Sequence, residues 1–187
     1  MIPATVLLTV VSLAAQAGQA GERAATAATV RGAADVKVVC DRWPDGSTQR
    51  QFALDAVRLS GARTEKHKAL AVFRWMRRWT MFTNGKPPTE RGRKVLDDRK
   101  IMHVYGAHWC DGRALCMENL WRSAGGRAWK LYVPTGYTMA LVHWRDDDGV
   151  KRWHQMHCSR GWYVYDREGK LVAHPNQLGA DMSLMLR

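Results

Sequence analysis

The feature that most constrains this chain is a change of hydrophobic period at Gly125-Gly126. Before that pair, apolar residues recur with helical spacing; after it they alternate, as strands require. Behind Thr64, a good N-cap, and the acidic first-turn residue Glu65, the residues Ala69, Val72, Phe73, Met76 and Trp79 form one stripe. Lys66, Arg74, Arg77 and Arg78 occupy other faces, so the segment predicts an amphipathic helix with a core-facing stripe and a solvated basic face. A shorter helix is expected over residues 52–59, stopped by Ser60-Gly61. From Cys110 to Ala124 the residues Ala114, Leu115, Met117, Leu120 and Trp121 repeat the helical pattern, and Gly125-Gly126 supplies the stop.

Downstream, residues 127–133, 137–144, 151–157 and 162–166 are short and rich in aromatic and β-branched types. Pro134-Thr135-Gly136, residues 146–149, Ser159-Arg160-Gly161 and Arg167-Glu168-Gly169 separate them as turns. Helices followed by an antiparallel sheet give an α+β class, with N-terminal helices packed on the sheet. Upstream, Trp43-Pro44-Asp45-Gly46 is a turn signal, Gly85-Lys86-Pro87-Pro88 breaks the chain, and residues 89–100 read as a charged connector.

The chain has 187 residues, enough for one domain of ordinary size. Its 46% hydrophobic and 25% charged residues exclude wholesale disorder. A net charge of +12 favours anionic partners without choosing among them. Beyond the N-terminus no run of apolar residues is long enough to span a membrane. Residues 2–15 form an apolar run, and Ala15-Gln16-Ala17 and Gly18-Gln19-Ala20 both fit a small-residue cleavage site. Residues 1–20 are therefore expected to be a signal peptide, although no Lys or Arg precedes the apolar core; the competing reading is a buried N-terminal helix. Residues 21–35, rich in Ala, Gly and Thr, read as a linker, and residues 36–187 as the domain. A secreted or periplasmic location follows.

The chemistry concentrates at Tyr105-Gly106-Ala107-His108-Trp109-Cys110-Asp111-Gly112. A cysteine that opens a helix lies near unpaired backbone N–H groups and the positive end of the dipole, and both favour the thiolate that a nucleophile needs. Cys116 lies on the same helix, roughly 9 Å further along, too far to bridge to Cys110, and reads as a core thiol.

Residues 103–166 resemble the bacterial transglutaminase-like domain, which has a papain-like cysteine hydrolase fold. The matching features are Tyr105-Gly106 before Cys110, the segment from Leu120 to Ala128 closing its helix, the following strand with Gly136, and Trp153-His154-Gln155-Met156-His157. The resemblance implies acyl transfer at glutamine side chains, or amide hydrolysis, on protein, peptide or peptidoglycan-like substrates. In the family a Cys nucleophile is joined by a His base and an Asp that orients it. Cys110 matches the nucleophile; Tyr137 stands where the His is expected and His157 where the Asp is expected. Tyr is a poor proton acceptor at neutral pH, and His cannot supply the negative charge that stabilises an imidazolium.

Three readings stay open. The chain keeps the fold and cleft for binding alone; or Cys110, Tyr137 and His157 form a rearranged site with His157 as base; or another histidine, His143 or His154, serves Cys110. His143 lies about 20 Å along the strand from Tyr137, which makes it a poor replacement. Trp109 is expected as an exposed cleft wall, and Trp109 or His108 as an oxyanion or cleft residue. Acyl transfer at cysteine needs no cofactor, and no metal is expected.

His154, His157 and Cys158, with His103, His108 and Cys110, admit a zinc reading, but neither Cys-x-x-Cys nor His-Glu-x-x-His occurs, and His154 and His157 point to opposite faces of a strand. Bridges Cys40–Cys158 or Cys116–Cys158 are compatible with export, as are four reduced thiols. Trp109, Trp129, Trp144, Trp153 and Trp162 are expected near the cleft and sheet, where one or two could stack on a peptide or sugar ring. The alternative function from another class is a non-catalytic binding or scaffold module for an anionic extracellular polymer or a peptide. Nucleic acid is not expected, because export and scattered Lys and Arg both argue against it.

Overall fold

A computed structural model describes residues 42–133, 136–169 and 173. The expected signal peptide, the linker, Cys40 and the turn residues Pro134 and Thr135 lie outside the described residues.

The first helix, α1 (Gln49–Leu59), begins three residues before the expected start, because Thr48 caps it: its hydroxyl accepts from the Gln51 amide at 3.0 Å. Helix α2 (Glu65–Trp79) starts after Thr64, whose side chain accepts from the His67 amide at 3.2 Å, as the sequence predicts. Its stripe of Ala69, Val72, Phe73 and Met76 is buried, and Trp79 packs edge-on against Phe52 of α1.

The segment expected as a charged connector is ordered structure. Strand β1 (Met81–Phe82) is followed by an antiparallel hairpin, β2 (Thr89–Glu90) and β3 (Arg93–Lys94). Helix α3 (Asp98–Lys100) then runs on as a single π-helical turn, Ile101–Tyr105. That turn ends at Gly106, whose φ of 64° suits glycine. Strand β4 (Ala107–His108) pairs in parallel with β1, Met81 opposite Ala107 and Phe82 opposite His108. The pairing brings the start of the next helix, α4 (Cys110–Ser123), beside the end of α2.

After Gly126 the chain forms a four-stranded antiparallel meander: β5 (Arg127–Tyr132), β6 (Thr138–Arg145), β7 (Lys151–His157) and β8 (Trp162–Tyr163). Its order, β5-β6-β7-β8, is that of the sequence. The last strand is only two residues long, not the five expected. Alternation sends Ala140, Val142 and Trp144 of β6, with His154 and Met156 of β7, toward the helices, where all are fully buried. Helix α4 packs across β5 and β6 through this face, with α1 and α2 on its other flank. The shared core holds Phe52, Phe73, Met76, Ile101, Met117, Leu120, Trp144 and Met156. The class is α+β, and among the described residues no helix is long and apolar enough to cross a membrane.

Candidate active site

The αL turn at Gly106 and the β1–β4 pairing deliver an extended Trp109 (φ −69°, ψ 179°) immediately before α4, so Cys110 is the first residue of that helix. The Cys110 thiol is free and half-buried. Trp109 is 39% exposed; its indole donates to the Gly85 carbonyl at 2.6 Å, and the Lys94 ammonium lies 5.6 Å from its ring centre. The indole thereby stands as a partly exposed wall beside the helix start.

His108 sits beneath that start and is fully buried. Its Nε2–H donates to the Val95 carbonyl at 2.8 Å, and Nδ1 lies 3.3 Å from Asp111 Oδ1. The ring occupies the space that a side chain at position 112 would need, which is why Gly112 stands there. Asp111 also accepts from the Gly112 amide at 2.8 Å and pairs with Lys94. Burial pushes the Asp111 carboxyl upward, but Lys94, the Gly112 amide and His108 together hold it below its ordinary value.

Tyr137, immediately before β6, and His157, the last residue of β7, are brought together, ring centres 5.6 Å apart. Tyr137 is 40% exposed and His157 is buried. Trp162, opposite His157 in the β7–β8 register, packs on its other side at 4.7 Å. His157 Nδ1 accepts from the Arg160 amide at 3.3 Å, which places the proton of the neutral ring on Nε2. Burial, then the positive charges of Arg160 and Arg113, lower the His157 pKa below its ordinary value, and no carboxylate among the groups acting on it opposes them. His157 is therefore a neutral imidazole at neutral pH, the state a proton acceptor must have. Among the described residues, no hydrogen bond joins the Cys110 thiol to Tyr137 or His157.

Arg113, one turn along α4 from Cys110, was not singled out by sequence reasoning. Although 98% buried, it donates from Nη1 to the Ser159 carbonyl at 3.1 Å and from Nε to Thr80 Oγ1 at 3.3 Å. It ties the start of α4 to the end of α2 and to the turn that follows His157. The available signal was an arginine interrupting the apolar stripe one turn before Met117. Cys116 and Cys158 are fully buried thiols. Burial pushes both up, Cys158 to about 12, with a charge on Cys110 adding to the effect at Cys158 and Arg113 opposing it.

The remaining candidates lie elsewhere. His143 is half-buried against Trp153, ring centres 4.9 Å apart. His154 stacks in the core on Trp144, on the face of β7 opposite to His157. His103 packs edge-on against Trp79. Among the described residues, no three His, Cys, Asp or Glu side chains converge as a metal site would require.

No protein-family model matches the chain. Neither the curated proteins nor the solved structures hold a significant match to it.

Proposed function

We propose that this protein is an exported transglutaminase-like domain whose Cys110 forms a thioester with a carboxamide of a protein or peptide, with Tyr137 and His157 replacing the family's His and Asp. The observation that carries the reading is the pairing of Tyr137 with His157, at the two strand positions where the resemblance expects the base and its orienting partner, in a domain whose free Cys110 thiol opens α4. The α+β architecture supports the same reading.

In this reaction the Cys110 thiolate attacks the carboxamide carbon, and the carbon–nitrogen bond breaks to give a thioester. The proton lost by the thiol passes through the Tyr137 hydroxyl to His157 Nδ1, which gives up the Arg160 amide to receive it, and is returned to the departing ammonia or amine. Water or a second amine then takes the acyl group and frees the thiol. The backbone N–H of Cys110, at a helix start, stabilises the oxyanion. Trp109 forms a wall of the acyl site. Buried His108 and Arg113 hold the helix start in place and touch no substrate. No cofactor enters these steps.

A second reading is favoured by one observation: the acceptor nitrogen of His157 already takes the Arg160 amide proton. On that reading the cleft binds a peptide or an anionic polymer without turning it over. Iodoacetamide kinetics against pH separate the two, comparing wild type, Cys110→Ala and His157→Ala. The catalytic reading requires a thiol that alkylates faster than free cysteine below neutral pH, absent in Cys110→Ala and slowed in His157→Ala. Alkylation of Cys110 at the free-cysteine rate, indifferent to His157, discards the catalytic reading.

A further inference from the structure

The sheet has a second face, turned away from the helices; Tyr137 and His157 lie at one end of it, and the rows beyond, toward Arg145 and Lys151, take no part in the proposed reaction. The register places Arg127, His143 and Trp153 side by side across β5, β6 and β7, and Trp129, Leu141 and Gln155 in the next row. Arg145 and Lys151 face one another in the row beyond. Trp129 is 53% exposed, an unusual cost for an indole on an open surface.

Each of the two indoles carries a guanidinium. Arg122 Cζ lies 5.5 Å from the Trp129 ring centre, and Arg127 Cζ lies 5.4 Å from that of Trp153. Lys151 and Arg127 are exposed and have no carboxylate partner among the described residues. Burial, and after it the charges of Arg127 and Lys151, disfavour protonation of His143, against the opposite pull of Glu65. The nearby acids are engaged: Glu65 pairs with Arg145, and Glu118 with Arg122 at 3.1 Å. The face therefore presents net positive charge interleaved with aromatic rings.

From this arrangement we propose that the outer face of β5–β7 is a binding surface for an acidic polysaccharide built of uronic acid residues. Two pieces of chemistry select that occupant. The exposed residues Arg127, Trp129, Arg145 and Lys151 border the partly exposed Leu141, His143 and Trp153 and leave room for an extended chain; the two indoles flank β6, about 10 Å apart across the strands, so more than one monomer is held at once. Each unit of the surface also sets a guanidinium over a ring, Arg127 on Trp153 without a carboxylate partner among the described residues and Arg122 on Trp129 shared with Glu118. A uronate carries its carboxylate on the sugar ring itself, so one monomer satisfies ring and cation together. In a nucleotide the phosphate is separated from the base by the ribose, and the match is poorer. The proposal does not depend on the chemistry of Cys110.

The test is calorimetric titration of the full chain with oligogalacturonate of defined length, with dextran oligomers and a thymidine oligonucleotide as comparison ligands. Oligogalacturonate is expected to bind, and salt to weaken it. Trp129→Ala, and the pair Arg127→Ala/Lys151→Ala, are each expected to lower affinity roughly tenfold while circular dichroism stays that of wild type. The pair Arg91→Ala/Arg93→Ala removes the same charge from the β2–β3 hairpin and is expected to leave affinity within a factor of about two. Equal binding of dextran, tighter binding of the oligonucleotide, an equal loss in the hairpin pair, or no binding of oligogalacturonate would each overturn the assignment.

Discussion

His154 lies flat against Trp144 in the core, ring centres 3.9 Å apart and planes 13° from parallel. The stack is held by one carboxylate: Asp146 Oδ1 accepts from Trp144 Nε1 at 2.8 Å, and Oδ2 lies 3.2 Å from His154 Nε2 and 3.1 Å from Arg152 Nη1. The Asp146 side chain is fully buried, so it is the point on which three side chains of the β6–β7 hairpin depend.

Asp146→Ala should destabilise the protein by about 3–5 kcal/mol, the range for removing one partner from a buried charged network. Asp146→Asn should cost clearly less, because the amide oxygen still accepts from Trp144. Urea denaturation followed by tryptophan fluorescence measures both. Equal losses for the two variants would show that the carboxylate is not what organises the hairpin.

Gly112 lies under the His108 ring, and any Cβ there overlaps the imidazole. Gly112→Ala is expected to cost about 1–3 kcal/mol through overpacking, in spite of alanine's better helix propensity. In the double variant Gly112→Ala/His108→Ala the two losses should not add, because the second substitution opens the space that the first one fills. Additive losses in a thermal-melt cycle would contradict the packing.

His157 has a lowered native pKa from burial, Arg160 and Arg113, against 6.5 when unperturbed. The unfolded chain therefore takes up a proton at a pH where native His157 does not. Stability from this residue is fully present above pH 6.5 and is lost as pH falls from there through the native value. His103 and His143 act in the same direction, so the share of His157 is read as a difference. The drop in unfolding free energy between about pH 7.5 and pH 5.5 should be smaller in His157→Gln than in wild type. An identical drop would remove His157 from the account.

Differential alkylation should rank the described thiols by burial. Cys110 is half-buried, whereas Cys116 and Cys158 are fully buried with thiols pushed up. Iodoacetamide at neutral pH, followed by peptide mass mapping, should modify Cys110 while Cys116 and Cys158 react only after denaturant is added. Early labelling of Cys158 in the native protein would show that the β7–β8 turn opens readily.

What the sequence alone determined is local. The two long helices were legible because one stripe of side chains recurs with the backbone's own hydrogen-bond period, and because Thr64 and Gly125-Gly126 punctuate them. Three strands of the meander were legible from alternation and glycine turns, and Cys110 at a helix start was legible from both. The β2–β3 hairpin escaped, because its exposed strands, Thr89-Glu90 and Arg93-Lys94, have no buried face to imprint a pattern.

Tertiary structure decided what depends on long-range register. Tyr137 meets His157 only because β6 and β7 pair with Ala140 opposite Met156, and no spacing along the chain specifies that alignment. Arg113 reaches the Ser159 carbonyl 46 residues away, and the buried His108 finds Val95 and Gly112, only once the core has closed around them. Periodicity records which face of an element leaves water; it does not record which distant residue that face will meet.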